Sequence, residues 1–256
     1  MNRRFGRGAL AALALVAIDL RAARASTPEE LFAKANSFYE EGRFEEAADT
    51  YGTILKYGLK DPRVLYNLGN ASFKLGRLGP AILNYERALR IDPSDLEARD
   101  NLQLARARIR DRAPEAEIPF PIAAIQETLQ ILAPDRMAVL FLIAWGAASA
   151  LGGSFLLART ETRRRVFGYL LLGGAILVLL AGLGLFVTVR MNLEPVGIVM
   201  QDRVDVRSGP AEDNTILFTV HEGTRLQLHG RREGWFQVSL PNALSGWIPS
   251  ASVEAV

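Results

Sequence analysis

The sequence predicts a multidomain membrane protein: an all-α repeat solenoid, a two-helix transmembrane hairpin and a small all-β barrel. Three observations carry that reading. A 34-residue segment recurs between 28 and 95. Two uncharged runs of 21 and 24 residues flank a cluster of arginines. The C-terminal sixty or so residues are short alternating runs cut by Gly, Pro and Asn turns. Composition agrees, since 49% of the 256 residues are hydrophobic, high for a chain with soluble parts.

Taken from the start, residues 1–25 read as an export signal. Arg3, Arg4 and Arg7 precede a ten-residue apolar core from Ala9 to Ile18, and the small residues Ala23 and Ala25 stand before Ser26. Ten residues make a helix of about 15 Å, roughly half a bilayer's hydrocarbon core, so cleavage is expected rather than anchoring. Five of the 30 basic and one of the 28 acidic residues lie in this segment. The remainder therefore carries 25 basic against 27 acidic residues. That balance offers no basic face for nucleic acid. The absence of cysteine excludes disulfides, thiolate metal sites and cysteine nucleophiles.

Residues 26–112 hold the repeat. Segments 28–61 and 62–95 share nine identities at an offset of 34, among them Asn36/Asn70, Gly42/Gly76, Arg43/Arg77, Ala47/Ala81 and Tyr51/Tyr85. "GRFEEAADTY" and "GRLGPAILNY" keep turn glycine, apolar residue, alanine and tyrosine in register, and the pattern resembles the tetratricopeptide repeat. Pro80 falls near the start of a helix, where a missing N–H costs nothing, and Pro93 punctuates the repeat's end. A third unit is reduced to one capping helix, with Leu96, Leu102 and Ile109 available for packing. The resemblance implies a groove lined by the first helix of each repeat, offering Phe32, Asn36, Tyr39, Tyr66, Asn67, Asn70, Phe73 and Lys74 to an extended peptide. For Asn36 and Asn70 a second reading stands beside this one, packing between helices. Relatives that grip a C-terminal carboxylate use two asparagines and several basic residues. Asn36 and Asn67 match the asparagines, but Phe32, Glu97 and Asn101 stand where basic residues are expected.

Residues 113–136 form a Pro-rich linker whose Ile122, Ile125, Leu129 and Leu132 suit a short amphipathic helix, resting on a membrane surface or on the repeats. Spans at 137–158 and 166–190 follow, joined by a loop at 159–165. Met137–Leu157 and Val166–Val189 contain no charge. Arg159, Arg163, Arg164 and Arg165, against the single Glu161, hold the loop in the cytoplasm, because translocating arginine-rich short loops is unfavourable. Both flanking regions then lie on the exported side, which the signal peptide predicts independently. Gly146, Ala150 and Ser154 recur every four residues and would give the first span a flat strip for helix contact.

Residues 194–256 read as a small barrel. "VRSGP" (206–210), "EGT" (222–224), "GWFQV" (234–238) and "GWI" (246–248) resemble a bacterial SH3-like domain, whose relatives bind cell-wall peptides or protein segments. Trp235 and Trp247 are candidate ligand platforms, although so small a barrel would be expected to draw on both for its core. The two histidines, His221 and His229, lie in this segment without a ligand set around them, and no metal is expected.

The order of signal, repeats, two spans and SH3-like domain resembles the BatE component of the Bacteroides aerotolerance (Bat) operon family. That resemblance implies an inner-membrane scaffold with both modules in the periplasm. Its implied partners are Bat proteins bearing von Willebrand factor A domains and a MoxR-type AAA+ ATPase. A peptidoglycan-binding envelope sensor is the alternative. No nucleophile elbow, phosphate loop or catalytic histidine constellation is present, so neither an enzyme nor a cofactor is expected.

Overall fold

The computed structural model describes residues 27–111, 134–193, 195–241 and 244–256. The predicted signal peptide and the linker's predicted amphipathic helix lie outside the described residues. The chain forms two compact units, one ending at Leu59 and one beginning at Lys60.

In the first unit, α1 (Pro28–Glu40) and α2 (Phe44–Lys56) form a helical hairpin. Thr27 starts α1 with a capping box: its hydroxyl accepts from the Glu30 N–H while its own N–H donates to the Glu30 carboxylate. Ala35 and Ala47 are fully buried, as small residues between close helices should be. The turn needs a left-handed residue, which Gly42 supplies at φ +77°.

In the second unit, α3 (Pro62–Lys74), α4 (Leu78–Ile91) and α5 (Leu96–Arg106) continue the helical part. Asp61 and Asp95 cap α3 and α5 through backbone N–H groups. Gly76 repeats the turn of Gly42 at the same φ. Gly69 faces the Tyr85 ring so closely that an added Cβ would sit 2.6 Å from it. In the capping helix Leu102 is buried and Ile109 is packed against the same cluster. Leu96 is 63% exposed, contrary to its predicted packing role, because it lies on the opposite side of α5 from Ala98, Leu102 and Ala105.

Helices α6 (Pro134–Leu157) and α7 (Glu161–Leu193) are long and apolar enough to cross a membrane, and the rest of the protein covers neither apolar window. They pack antiparallel, with Gly182 against Phe141, Gly174 against Ala148 and Leu151, and Gly168 against Phe155. The predicted small-residue strip is not the contact face. A Cβ on Gly146 would meet nothing within 4 Å. The seam runs instead through Phe141, Ala148, Leu151 and Phe155, at spacings of seven, three and four that keep one face toward the partner helix. The arginine cluster also differs from a seven-residue loop. Nothing in "ETRRR" breaks a helix, so α7 begins at Glu161, which pairs with Arg165 one turn on at 2.9 Å.

The C-terminal module is an antiparallel sheet of seven strands: β1 (Val196–Val199), β2 (Arg203–Arg207), β3 (Ile216–His221), β4 (Arg225–Arg232), β5 (Trp235–Ser239), β6 (Ser245–Pro249) and β7 (Val253–Ala255). Their order is β3-β2-β6-β5-β4-β1-β7. Every strand contributes to one aliphatic core of Val199, Val204, Val206, Val220, Leu226, Leu228, Val238, Ile248 and Val253, so the sheet curls around it.

Candidate functional site

The eight predicted groove residues divide between the units. Phe32, Asn36 and Tyr39 lie on α1. The Asn36 side-chain oxygen accepts from the Tyr51 hydroxyl at 2.6 Å, Phe32 tilts against the Tyr51 ring, and Tyr39 meets Phe44 edge-on. Tyr66, Asn67, Asn70, Phe73 and Lys74 lie on α3. Asn70 repeats the Asn36 contact, accepting from Tyr85 at 2.7 Å. It also accepts from the Asn101 amide at 3.0 Å, and that amide reaches the Tyr66 hydroxyl, which donates to Glu97. Burial, with Glu97 alongside, raises the Tyr66 pKa against the opposing hydrogen bond from Asn70. Both asparagine oxygens thus serve the packing of their own repeat. Phe73 sits against the second unit's core beneath the Arg108 guanidinium, 4.5 Å from its ring centre. Asn67 is half-buried and Lys74 exposed. Tyr85→Phe is expected to destabilise the second unit by about 1 kcal/mol, seen as a lowered Tm, since Asn70 keeps its bond from Asn101.

Alternation along the strands decides the tryptophans. Phe236, Val238 and Ile248 face the core, so Trp235, Gln237 and Trp247 face outward. Both rings are half-buried on that outer face, which corrects their expected role as core. Valines, leucines and one isoleucine, backed by Phe218, Phe236 and Leu240, already fill the interior. The register sets Trp247 opposite Gln237 and Arg207, and Trp235 opposite Pro249 and Arg232. The two rings make a surface suited to a ligand with flat apolar faces, while the Arg207 guanidinium donates to the Glu212 and Asn214 carbonyls and Arg232 approaches Glu233 at 3.5 Å.

The joint between repeat helices and barrel was not foreseen from the sequence. Ile198, fully buried, packs outside the barrel core among Ala81, Ile82, Leu83, Tyr85, Leu102 and Ala105. The N-cap residue of α4, Arg77, does not cap the helix with its side chain, and Glu222 from the β3–β4 turn accepts from the Gly79 N–H instead. A Cβ on Gly79 would lie 2.8 Å from the Val199 carbonyl oxygen, and one on Gly223 would lie 2.6 Å from Ile109. Asp111 accepts from the His221 backbone N–H at 2.6 Å and the Thr224 hydroxyl at 2.9 Å, with the His221 ring at 2.9 Å. Glu86, its side chain 9% exposed, pairs with Arg106 at 2.7 Å and approaches Arg225 at 3.5 Å. Arg87 bonds Glu254 and the Ala255 carbonyl, and Arg90 bonds the Val256 carbonyl.

Two sequence signals mark this joint. "VGIV" at β1 is an unbroken apolar run, the pattern of a strand buried on both faces. In the second repeat Gly79, Ile82 and Leu83 stand where the first has Glu45, Ala48 and Asp49, which makes α4 apolar on the side a terminal helix would expose.

Arg159, Arg163, Arg164 and Arg165 gather where α6 turns into α7. His229 Nε2 lies 2.6 Å from the Ser239 hydroxyl. Among the described residues no group of three or more His, Asp or Glu is arranged to hold a metal ion.

Two stretches match known families. Residues 32–95 match the tetratricopeptide repeat and residues 202–254 the bacterial SH3 domain; β1, the docking strand, precedes the second match. No curated protein matches the chain. The chain therefore carries a tetratricopeptide-repeat segment and a bacterial SH3 domain, two interaction modules of non-catalytic families, together with two helices fit to cross a membrane.

Proposed function

We propose that the protein is a non-enzymatic scaffold of the bacterial inner membrane, presenting its repeats and SH3 domain together on the periplasmic side. The observation that carries this reading is the joint. Two interaction modules are fixed to each other beside a hydrophobic hairpin, so their ligands are held at a set spacing and a high effective concentration. The hairpin supplies the anchor at 134–157 and 161–193, with the arginines on the cytoplasmic side. The repeats take an extended protein segment on their first-helix faces, where Asn67 is half-buried and Lys74 exposed on α3. The resemblance in domain order to BatE supports a role for the scaffold in a Bat and MoxR-type envelope stress-tolerance complex, with von Willebrand factor A domain proteins as partners.

A second reading, a peptidoglycan-binding envelope sensor, is favoured by one observation. Trp235 and Trp247 lie on the barrel's outer face and neither enters the joint.

The test is crosslinking in intact membranes followed by co-purification, comparing wild type with Asn67→Ala/Lys74→Ala and with Trp235→Ala/Trp247→Ala. The scaffold reading expects the first variant to lose a membrane-protein partner by tenfold or more. If no protein partner is captured and the full chain in detergent sediments with purified peptidoglycan only while both tryptophans are present, the scaffold reading fails and the sensor stands.

A further inference from the structure

The turn between α6 and α7 does more than carry charge. A cleft of about 880 Å³ opens there, walled by Arg159, Arg164 and Arg165 and floored by Phe155, Tyr169 and Leu172. Glu161 lines it too, but its carboxylate is paired with Arg165. Among the described residues Arg159 and Arg164 make no ion pair. The Arg164 guanidinium is held over the Phe155 ring at 5.2 Å, which fixes the donor fork without neutralising it. Arg163, one residue away, does not line the cleft.

We propose that this cleft binds one anionic phospholipid of the cytoplasmic leaflet, its phosphate held by Arg159 and Arg164 and its acyl chains lying along Tyr169 and Leu172. The proposal rests on the membrane reading of the hairpin. Three features select a lipid over a free anion. The 21 uncharged residues ending at Leu157 span about 31 Å as a helix, the thickness of a hydrocarbon core, so the cleft falls at headgroup depth. Its floor is continuous with the apolar flanks of the hairpin, where Leu156, Leu157, Tyr169 and Leu172 are all exposed. Its two unpaired guanidinium groups match a phosphate diester and suit the anionic inner leaflet.

The experiment uses the full chain, extracted from bacterial membranes in mild non-ionic detergent, and native mass spectrometry with added phosphatidylglycerol, phosphatidylcholine or inorganic phosphate. Wild type is expected to retain one phosphatidylglycerol, not displaced by phosphatidylcholine or by millimolar phosphate. Arg159→Gln and Arg164→Gln are each expected to weaken retention about tenfold, whereas Arg163→Gln leaves it unchanged. Each variant keeps three arginines, so the orientation of the hairpin is preserved. Equal loss in all three variants, displacement by free phosphate, or no retained lipid in wild type would each overturn the site. Release of the chain from membranes by alkaline carbonate, measured separately, would remove the membrane reading itself. A chain that resists carbonate yet holds no lipid overturns the cleft alone.

Discussion

Ile198→Asp is expected to split the repeats and the barrel into two independently melting bodies. The side chain is fully buried against Ala81, Ile82, Leu83 and Leu102, but it lies outside the barrel core. An aspartate there loses the apolar contact and must be rehydrated, at a cost of more than about 4 kcal/mol to docking. The barrel keeps its nine-residue aliphatic core, so its own fold survives. Calorimetry of the full chain in detergent should therefore change from one cooperative transition over both modules to two. Ile198→Val, which removes one methylene, should leave a single transition and cost about 1 kcal/mol. A single transition in the aspartate variant would mean that the polar contacts alone hold the joint.

The second large effect falls on Asp111. Its carboxylate takes the His221 backbone N–H and the Thr224 hydroxyl, and Thr224 is buried. Asp111→Ala leaves both donors without their acceptor and should weaken docking by about 3 kcal/mol. The pH dependence follows the same contacts. Burial, the largest single influence, raises the Asp111 pKa. The hydrogen bonds from the His221 ring, the His221 backbone and Thr224, helped by attraction to the His221 ring, together outweigh it and leave the pKa below its ordinary value. A lowered carboxylate pKa gives stability that is complete above the unfolded value of about 3.9 and is lost as pH falls through the folded value. Wild-type docking, followed by hydrogen exchange at the β3–β4 turn, should thus loosen in acid below about pH 4. The alanine variant should lack this component of the acid response and be weaker at neutral pH.

Much of the architecture was legible in the chain because each part has its own period. Nine identities at an offset of 34 gave the helix pairs, and the left-handed turns at Gly42 and Gly76 appear at equivalent positions with the same φ. The uncharged runs gave the hairpin, and the glycine-punctuated alternation gave the strands. What was not legible depends on contacts between periods. Asn36 and Asn70 look like recognition amides until the hydroxyls of Tyr51 and Tyr85, fifteen residues away, are seen to donate to them. Trp235 and Trp247 look like core in a barrel short of buried area, until the strand register turns them outward. The missing area is supplied through Ile198, on the face of β1 that the repeat helices cover. The Gly146 strip failed for a related reason. Small residues are frequent throughout membrane-like helices, so their spacing does not identify the contact face.

The joint also dictates an order of events during biogenesis. Its contacts link residues 79–111 to residues 198–256, and the Arg87–Glu254 pair closes a separation of 167 residues. Helix α4 is synthesised with Ile82 and Leu83 uncovered, and they stay so until both hairpin helices and the strands of the barrel have been made. Closing so long a loop is slow in a free chain. Here the antiparallel pairing of α6 with α7 brings the two ends of the intervening segment back to one side, shortening the search. Pairing of the hairpin helices thus acts as the folding step that unites the two modules, and a chain interrupted before β1 exposes an adhesive helix face to its neighbours and to proteases.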